Sequence, residues 1–277
     1  MMSFVGDSVP THLLGRAYGW YTSALYLGMA LGPGLGGATG TGDFRLAFAI
    51  SAACTGAGIL LGAVRVASSP PGAPRDIPGG NLRADFREIV RTPAVLGCWL
   101  ATFFSTYAWG ALFAFFPLYA RDSGVALAHT GLIFTCQAAA NAIFRIPIGH
   151  FSDRLGKRTP FIVFGNLLFA LSIAAVGQAG SPGPLYFIFV VVGGSMAATF
   201  TAIGALLSEA VPTRIRGLAM GGYNTCIYGG FAVSAATLGA VISRFGFPAG
   251  FGFAGGLCAA ATLALSFLFP RRAPSVS

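Results

Sequence analysis

Gly149-His150-Phe151-Ser152-Asp153-Arg154-Leu155-Gly156-Lys157-Arg158 is the stretch on which the reading of this 277-residue chain turns. Arg145 and Pro147 precede it, and long apolar runs flank it on both sides. It therefore reads as a tight, charged turn between two membrane spans. Four cations (Arg145, Arg154, Lys157 and Arg158) gather there around one carboxylate, Asp153. Gly149 and Gly156 would let the backbone turn sharply and neighbouring helices approach closely.

Composition sets the class. Apolar residues make up 55% of the chain, charged residues only 9%, and glycine 40 of 277, which suits packed membrane helices. A soluble domain of this length would carry far more surface charge. The net charge of +9 would suit nucleic acid if it formed a stripe, but the basic residues are dispersed between apolar runs, so no nucleic-acid partner is expected. The five cysteines (Cys54, Cys98, Cys136, Cys226, Cys258) lie far apart inside apolar runs, without metal or disulfide spacing. They read as small core residues, and no cofactor is expected.

A span needs about 20 apolar residues to cross a hydrocarbon core of roughly 30 Å. Eight segments qualify: 16–40, 44–64, 93–120, 129–149, 160–179, 184–208, 217–243 and 248–269. The expected fold is an all-α polytopic membrane protein with eight transmembrane helices. Between 65 and 92 lies the one long polar connection, opening with Ser68-Ser69-Pro70-Pro71-Gly72-Ala73-Pro74. Leu82, Phe86, Ile89 and Val90 follow at helical spacing, which predicts a short interfacial helix. With an even number of spans both termini share one side. Placing that side in the cytoplasm gives it fourteen of the 17 cations and leaves only Arg45, Arg121 and Arg244 opposite. The positive-inside rule then predicts a multi-pass protein of the cytoplasmic (inner) membrane with both termini cytoplasmic.

An internal repeat sharpens the organisation. Val9, Pro10, Thr11, Gly15, Ala17, Gly19, Tyr21, Tyr26 and Gly28 recur, at an offset of 202, as Val211, Pro212, Thr213, Gly217, Ala219, Gly221, Tyr223, Tyr228 and Gly230. Together with this repeat, the pattern G-x-x-x-D-R-x-G-K-R at 149–158 closely resembles the cytoplasmic loop signature of the major facilitator superfamily of secondary transporters. The resemblance implies two parallel six-helix bundles. On that register this chain corresponds to the last eight of twelve spans, the first four being absent or separately encoded. The expected domains are residues 1–66 as the remainder of the first bundle (spans 16–40 and 44–64) and 67–91 as a cytoplasmic linker with the short helix. Residues 92–270 form the second six-helix bundle, and 271–277 a cytoplasmic tail.

The resemblance also implies a conformational latch in the charged turn: Gly149, Asp153, Arg154, Gly156, Lys157 and Arg158. Asp153 would approach the start of the opposite half's helix near Arg16, where the helix dipole and a cation favour a carboxylate. Glu209 would pair with Lys157 or Arg158. A topological reading stands beside this one, in which the basic turn only anchors to phosphate headgroups. In the first span, Gly28-x-x-x-Gly32-Pro33-x-x-Gly36-Gly37 predicts a kinked, close-packing helix. It also resembles the fifth-helix motif of drug/proton antiporters, and it is lost in the second half, where Pro33 maps to Ala235.

Substrate contacts are expected midway along spans. Thr102, Ser105, Thr106, Tyr107 and Trp109 sit centrally in the third span and Thr199 and Thr201 in the sixth. Gln137/Asn141 and Asn224/Tyr228 are spaced i, i+4 and each pair shares a face. Tyr107, Trp109, Gln137, Asn141, Asn224 and Tyr228 are the cavity candidates, although polar side chains between membrane helices more often bond helix to helix. No carboxylate falls inside any candidate span, so a proton carrier, if protons are the coupling ion, is expected in the four spans upstream. No Ser-His-Asp, paired-carboxylate or His-x-x-x-His arrangement occurs in a plausible pocket, and no P-loop exists. The expected function is thus not enzymatic. It is movement of a small molecule through the lipid bilayer by alternating access, with efflux of an organic or drug-like compound favoured. Uptake of a sugar or organic anion is the alternative within that class; a non-transporting remnant or a partner subunit is the alternative outside it.

Overall fold

The computed structural model describes residue 28 and residues 31–39, 44–66 and 82–268. Every regular element among them is helical: α1 over 31–39, α2 Phe44–Val66, α3 Leu82–Arg91, α4 Pro93–Asp122, α5 Leu127–Leu155, α6 Thr159–Val176, α7 Pro182–Glu209 and α8 Thr213–Leu265, followed by a 3-10 turn at Ser266–Leu268. Six of the described helices are long and apolar enough to cross a bilayer. One of the six, α8, is two helices meeting at Gly246, whose φ of 82° is left-handed and open to glycine but not readily to other residues. Pro248 follows two residues later, lacking the N–H that a continuous helix would use. The break falls where the sequence predicts a loop between 243 and 248, while the helices run beyond several predicted ends.

The largest departure concerns the opening stretch. The sequence predicts a span ending at Gly149, whereas α5 continues to Leu155 and only Gly156–Arg158 turns. At about 1.5 Å per residue its 29 residues reach roughly 43 Å, long enough to extend past a hydrocarbon core of about 30 Å. Polar helix is tolerated there because its backbone bonds stay internal. Gly149 therefore makes no turn; a side-chain carbon added there would meet only the Thr201 methyl at 3.7 Å, an ordinary contact. Gly156 does terminate the helix, at φ 59°, with its N–H donating to the Asp153 carbonyl.

The chain divides into two compact units. The first comprises residues up to Gly79 with the Leu127–Thr135 start of α5. Within it, α1 crosses α5 at very short range: a side-chain carbon on Gly37 would lie 3.0 Å from the Gly131 Cα and from the Leu127 carbonyl oxygen. Gly28, Gly32 and Gly36 have open space instead, so only part of the glycine-proline motif makes a contact surface. Helix α2 is apolar and exposed along its length within this unit, the signature of a segment whose solvent is lipid or other apolar helices.

The second unit comprises Gly80–Ala126 and Cys136 onward. Helix α4 packs most extensively against α8, and α6 against both α7 and α8. Phe116, Leu112, Phe169, Ile173, Phe189 and Phe251 are fully buried among these helices. Small residues set the closest crossings: Gly193 of α7 lies against the Gln137 carbonyl of α5, and Gly222 of α8 beneath the Trp99 ring. Trp99 then donates its indole N–H to the Ala219 carbonyl at 3.0 Å, closing α4 onto α8.

Candidate functional site

The charged turn is built by three helix ends. The end of α5 supplies Ser152 and Asp153, the start of α6 supplies Arg158, and the end of α7 supplies Glu209. Arg158 is the centre of this group. Its Nη1 lies 2.6 Å from Asp153 Oδ1 and 2.9 Å from Ser152 Oγ, while Nη2 donates to Glu209 Oε1 at 2.9 Å and Nε to the same oxygen at 3.3 Å. Of the two partners expected for Glu209, the arginine takes it. Lys157 and Arg154 are exposed and form no ion pair among the described residues.

The electrostatics follow from unequal exposure. The Arg158 side chain is 14% exposed, Glu209 34% and Asp153 64%. Partial burial opposes the guanidinium's charge, but hydrogen bonds to Glu209 and then Asp153, with their charge attraction, outweigh it and hold the pKa of Arg158 above its ordinary value. Arg158 thus stays cationic and ties three helix ends together. The contact expected between Asp153 and Arg16 falls outside the described residues.

The cavity candidates separate into distinct environments. Tyr107 is buried and its hydroxyl lies 3.0 Å from Thr237 Oγ1, a bond between α4 and α8. Trp109 joins an aromatic group with Phe113 and Phe231, at ring separations of 6.4 and 5.2 Å. Gln137 and Asn141 share a buried face, as their spacing predicts: Gln137 Nε2 donates to the Met196 sulfur at 3.2 Å, and Asn141 Oδ1 accepts from Arg145 Nη2 at 3.2 Å. Asn224 and Tyr228 lie on the exposed surface of the second unit, Asn224 bonding back to the Met220 carbonyl. Thr102 and Thr106 bond the carbonyls four residues earlier in their own helix, the usual resolution for a hydroxyl in an apolar environment.

One residue escaped the sequence reading. Asn166 of α6 is almost wholly buried, accepts a 2.8 Å bond from Ser105 Oγ, and has no hydrogen-bond partner for Nδ2 among the described residues. A lone amide inside the run Phe164-Gly165-Asn166-Leu167-Leu168-Phe169 was the available signal. Thr199 Oγ1, buried against Gly165, is likewise without a hydrogen-bond partner. Thr201 Oγ1, also of α7, shares that condition, so among the described residues three polar atoms are left open on the packed helices α6 and α7.

Comparison with known proteins places this arrangement. The family description Major Facilitator Superfamily matches residues 1–126 and 98–277, together the whole chain. The uncharacterized MFS-type transporter MJ1560 of Methanocaldococcus jannaschii is 27% identical over 157 residues, 57% of this chain and 40% of that protein. Bacillus subtilis YfkF, also an uncharacterized MFS-type transporter, is 29% identical over 126 residues, 44% and 32% of the two chains. Sucrose transport protein SUT5 of Oryza sativa is 28% identical over 102 residues, 35% and 18%. Each match thus spans less than half of the relative's length. A crystal structure of a bacterial homolog of the human lysosomal transporter Spinster, inward-facing and unoccupied, shares the fold at a TM-score of 0.69 and 18% identity, covering 96% of this chain and 71% of that one. The chain belongs to the major facilitator superfamily of membrane transporters.

Proposed function

We propose that this polypeptide provides the second bundle and part of the first of a secondary transporter that exports a small organic compound by alternating access. The observation that carries the direction is the glycine-proline stretch at 28–37. It resembles the antiporter motif, and its Gly37 face sits against Gly131 at a separation that leaves no room for a side chain. Such a seam holds two helices at fixed spacing while the rest of the molecule rocks. Arg158, bridging Asp153 and Glu209, then acts as the latch of one end state, each ion pair contributing about 0.3–1 kcal/mol. A few such terms bias a two-state equilibrium usefully. The proposed setting is the inner membrane with both termini cytoplasmic, on the cation bias, and the proposed coupling ion is the proton.

Ethidium accumulation in cells with and without the protein tests this reading. Export predicts lower accumulation, abolished by an uncoupler. Unchanged accumulation would remove it. Similarity to a protein named for sucrose transport favours uptake of a sugar as the second reading. Faster sugar entry with unchanged dye would select it.

A further inference from the structure

The short helix α3 is absorbed by none of the transport roles above, and its surface is divided by charge. At about 100° per residue three sectors result. Phe86, Ile89 and Val90 form an apolar sector, Asp85 and Glu88 an acidic one, and Arg83, Arg87 and Arg91 a basic one. Two of the sectors dock on the bundle. Ile89 is fully buried with Val95, Cys98 and Trp99. Asp85 and Glu88 both receive Arg214, from the start of α8, with the Glu88 contact at 2.9 Å. The acidic charge of α3 is thereby spent inward. What faces outward is Arg87 and Arg91, both exposed, bordered by Phe86 at 51% and Val90 at 39% exposure.

The position of α3 gives this face its partner. Only Thr92 separates Arg91 from Pro93, the first residue of a membrane-spanning helix, and Thr92 bonds back to the carbonyls of Ile89 and Glu88 at 3.0 Å. The Phe86 ring lies 6.5 Å from that of Trp99, so α3 is folded back alongside the first turns of α4. A helix held at the end of a span, with apolar side chains next to arginines, has the make-up of an in-plane element whose apolar residues enter the acyl boundary and whose cations sit among phosphates. We propose that the outward face of α3 is a binding surface for anionic lipid headgroups, with Arg87 and Arg91 contacting lipid phosphate and Phe86 and Val90 anchoring below it. Arg214 serves the same surface indirectly, by neutralising the two carboxylates that would repel it. Nothing here depends on the direction or substrate of transport.

The test uses the full 277-residue chain in nanodiscs of phosphatidylcholine alone or mixed with phosphatidylglycerol, reading amide exchange in α3 and, by native mass spectrometry, the lipid retained. Phosphatidylglycerol should slow exchange across 83–91 and be retained in preference to phosphatidylcholine. A basic residue near an anionic surface is worth about fivefold in binding, so Arg87→Gln with Arg91→Gln should weaken retention about 30-fold, while the double lysine replacement should keep most of it. Inorganic phosphate without anionic lipid should leave exchange unchanged, and the preference should fade as salt approaches about 1 M. Equal retention of the two lipids by the wild type would overturn the proposal. So would retention indifferent to the double glutamine variant, a preference that survives high salt, or protection by inorganic phosphate alone, which would indicate a soluble-anion site. The wild-type lipid and salt measurements decide the matter even if the double variant does not fold.

Discussion

If Arg158 joins the ends of α5, α6 and α7, then Arg158 and Glu209 must be energetically coupled, and the coupling should depend on salt. Two of the arginine's nitrogens reach one Glu209 oxygen, at 2.9 and 3.3 Å, with the arginine side chain 14% exposed and the carboxylate 34%. Exposed ion pairs contribute about 0.2–1 kcal/mol, and the shielding of the guanidinium places this one toward the upper end, at about 0.5–1 kcal/mol. Arg158→Gln should cost more than that, about 1–2 kcal/mol, because it also removes the contacts to Asp153 and Ser152 and leaves Glu209 without its cation. Equilibrium unfolding in mixed micelles of the wild type, Arg158→Gln, Glu209→Gln and the double variant closes a thermodynamic cycle. The coupling should appear at low ionic strength and shrink as salt is raised. Lys157→Gln, which touches no carboxylate among the described residues, should change stability by less than about 0.5 kcal/mol. A coupling indistinguishable from zero, or a Lys157 effect as large as that of Arg158, would refute the assignment of Arg158 as the hub.

Other expectations follow from the same geometry. Gly193→Val puts carbon against the Gln137 carbonyl and within 2.9 Å of the Ala140 Cβ; with backbone on the receiving side it should cost about 3 kcal/mol, read as a fall in unfolding midpoint. Gly204→Ala is the control: nothing lies within 4 Å of the added carbon, so it should be neutral or stabilise by about 0.5–1 kcal/mol through helix propensity. At Gly156, where φ is 59°, alanine should cost about 1–2 kcal/mol in the same unfolding measurement. Asp153→Asn weakens only the more exposed of the two pairs, so folding should persist while ethidium export falls; wild-type export in that variant would remove the latch role.

Much of the fold can be derived from local features. Apolar run length, scarcity of charge and the glycine content identify a polytopic helical membrane protein, because a bilayer admits few other ways of satisfying the backbone. The short helix at 82–91 was legible from the spacing of Leu82, Phe86, Ile89 and Val90, and the break before Pro248 from the gap between the apolar runs 217–243 and 248–269, since both are set within a few residues of chain. The i, i+4 spacing likewise placed Gln137 and Asn141 on one face.

What those features leave undecided is which neighbour each side chain meets. Helix α5 runs to Leu155 although its sequence turns polar at His150, because hydrogen bonds within a helix do not end where the hydrocarbon does. The latch that the family resemblance implies offered Glu209 two cations; the geometry of three converging helix ends selected Arg158 and left Lys157 outside. Asn166 and Ser105 stand 61 residues apart and their contact leaves no mark in either segment. The amino-acid sequence by itself determined the class, the approximate placement of the spans that fall among the described residues, and the family signature, since each depends on residues near one another along the chain. The ion-pair hub, the Gly193 crossing and the Asp85–Arg214–Glu88 bridge were decided only when distant helices packed, because their distances depend on backbone approach rather than on composition.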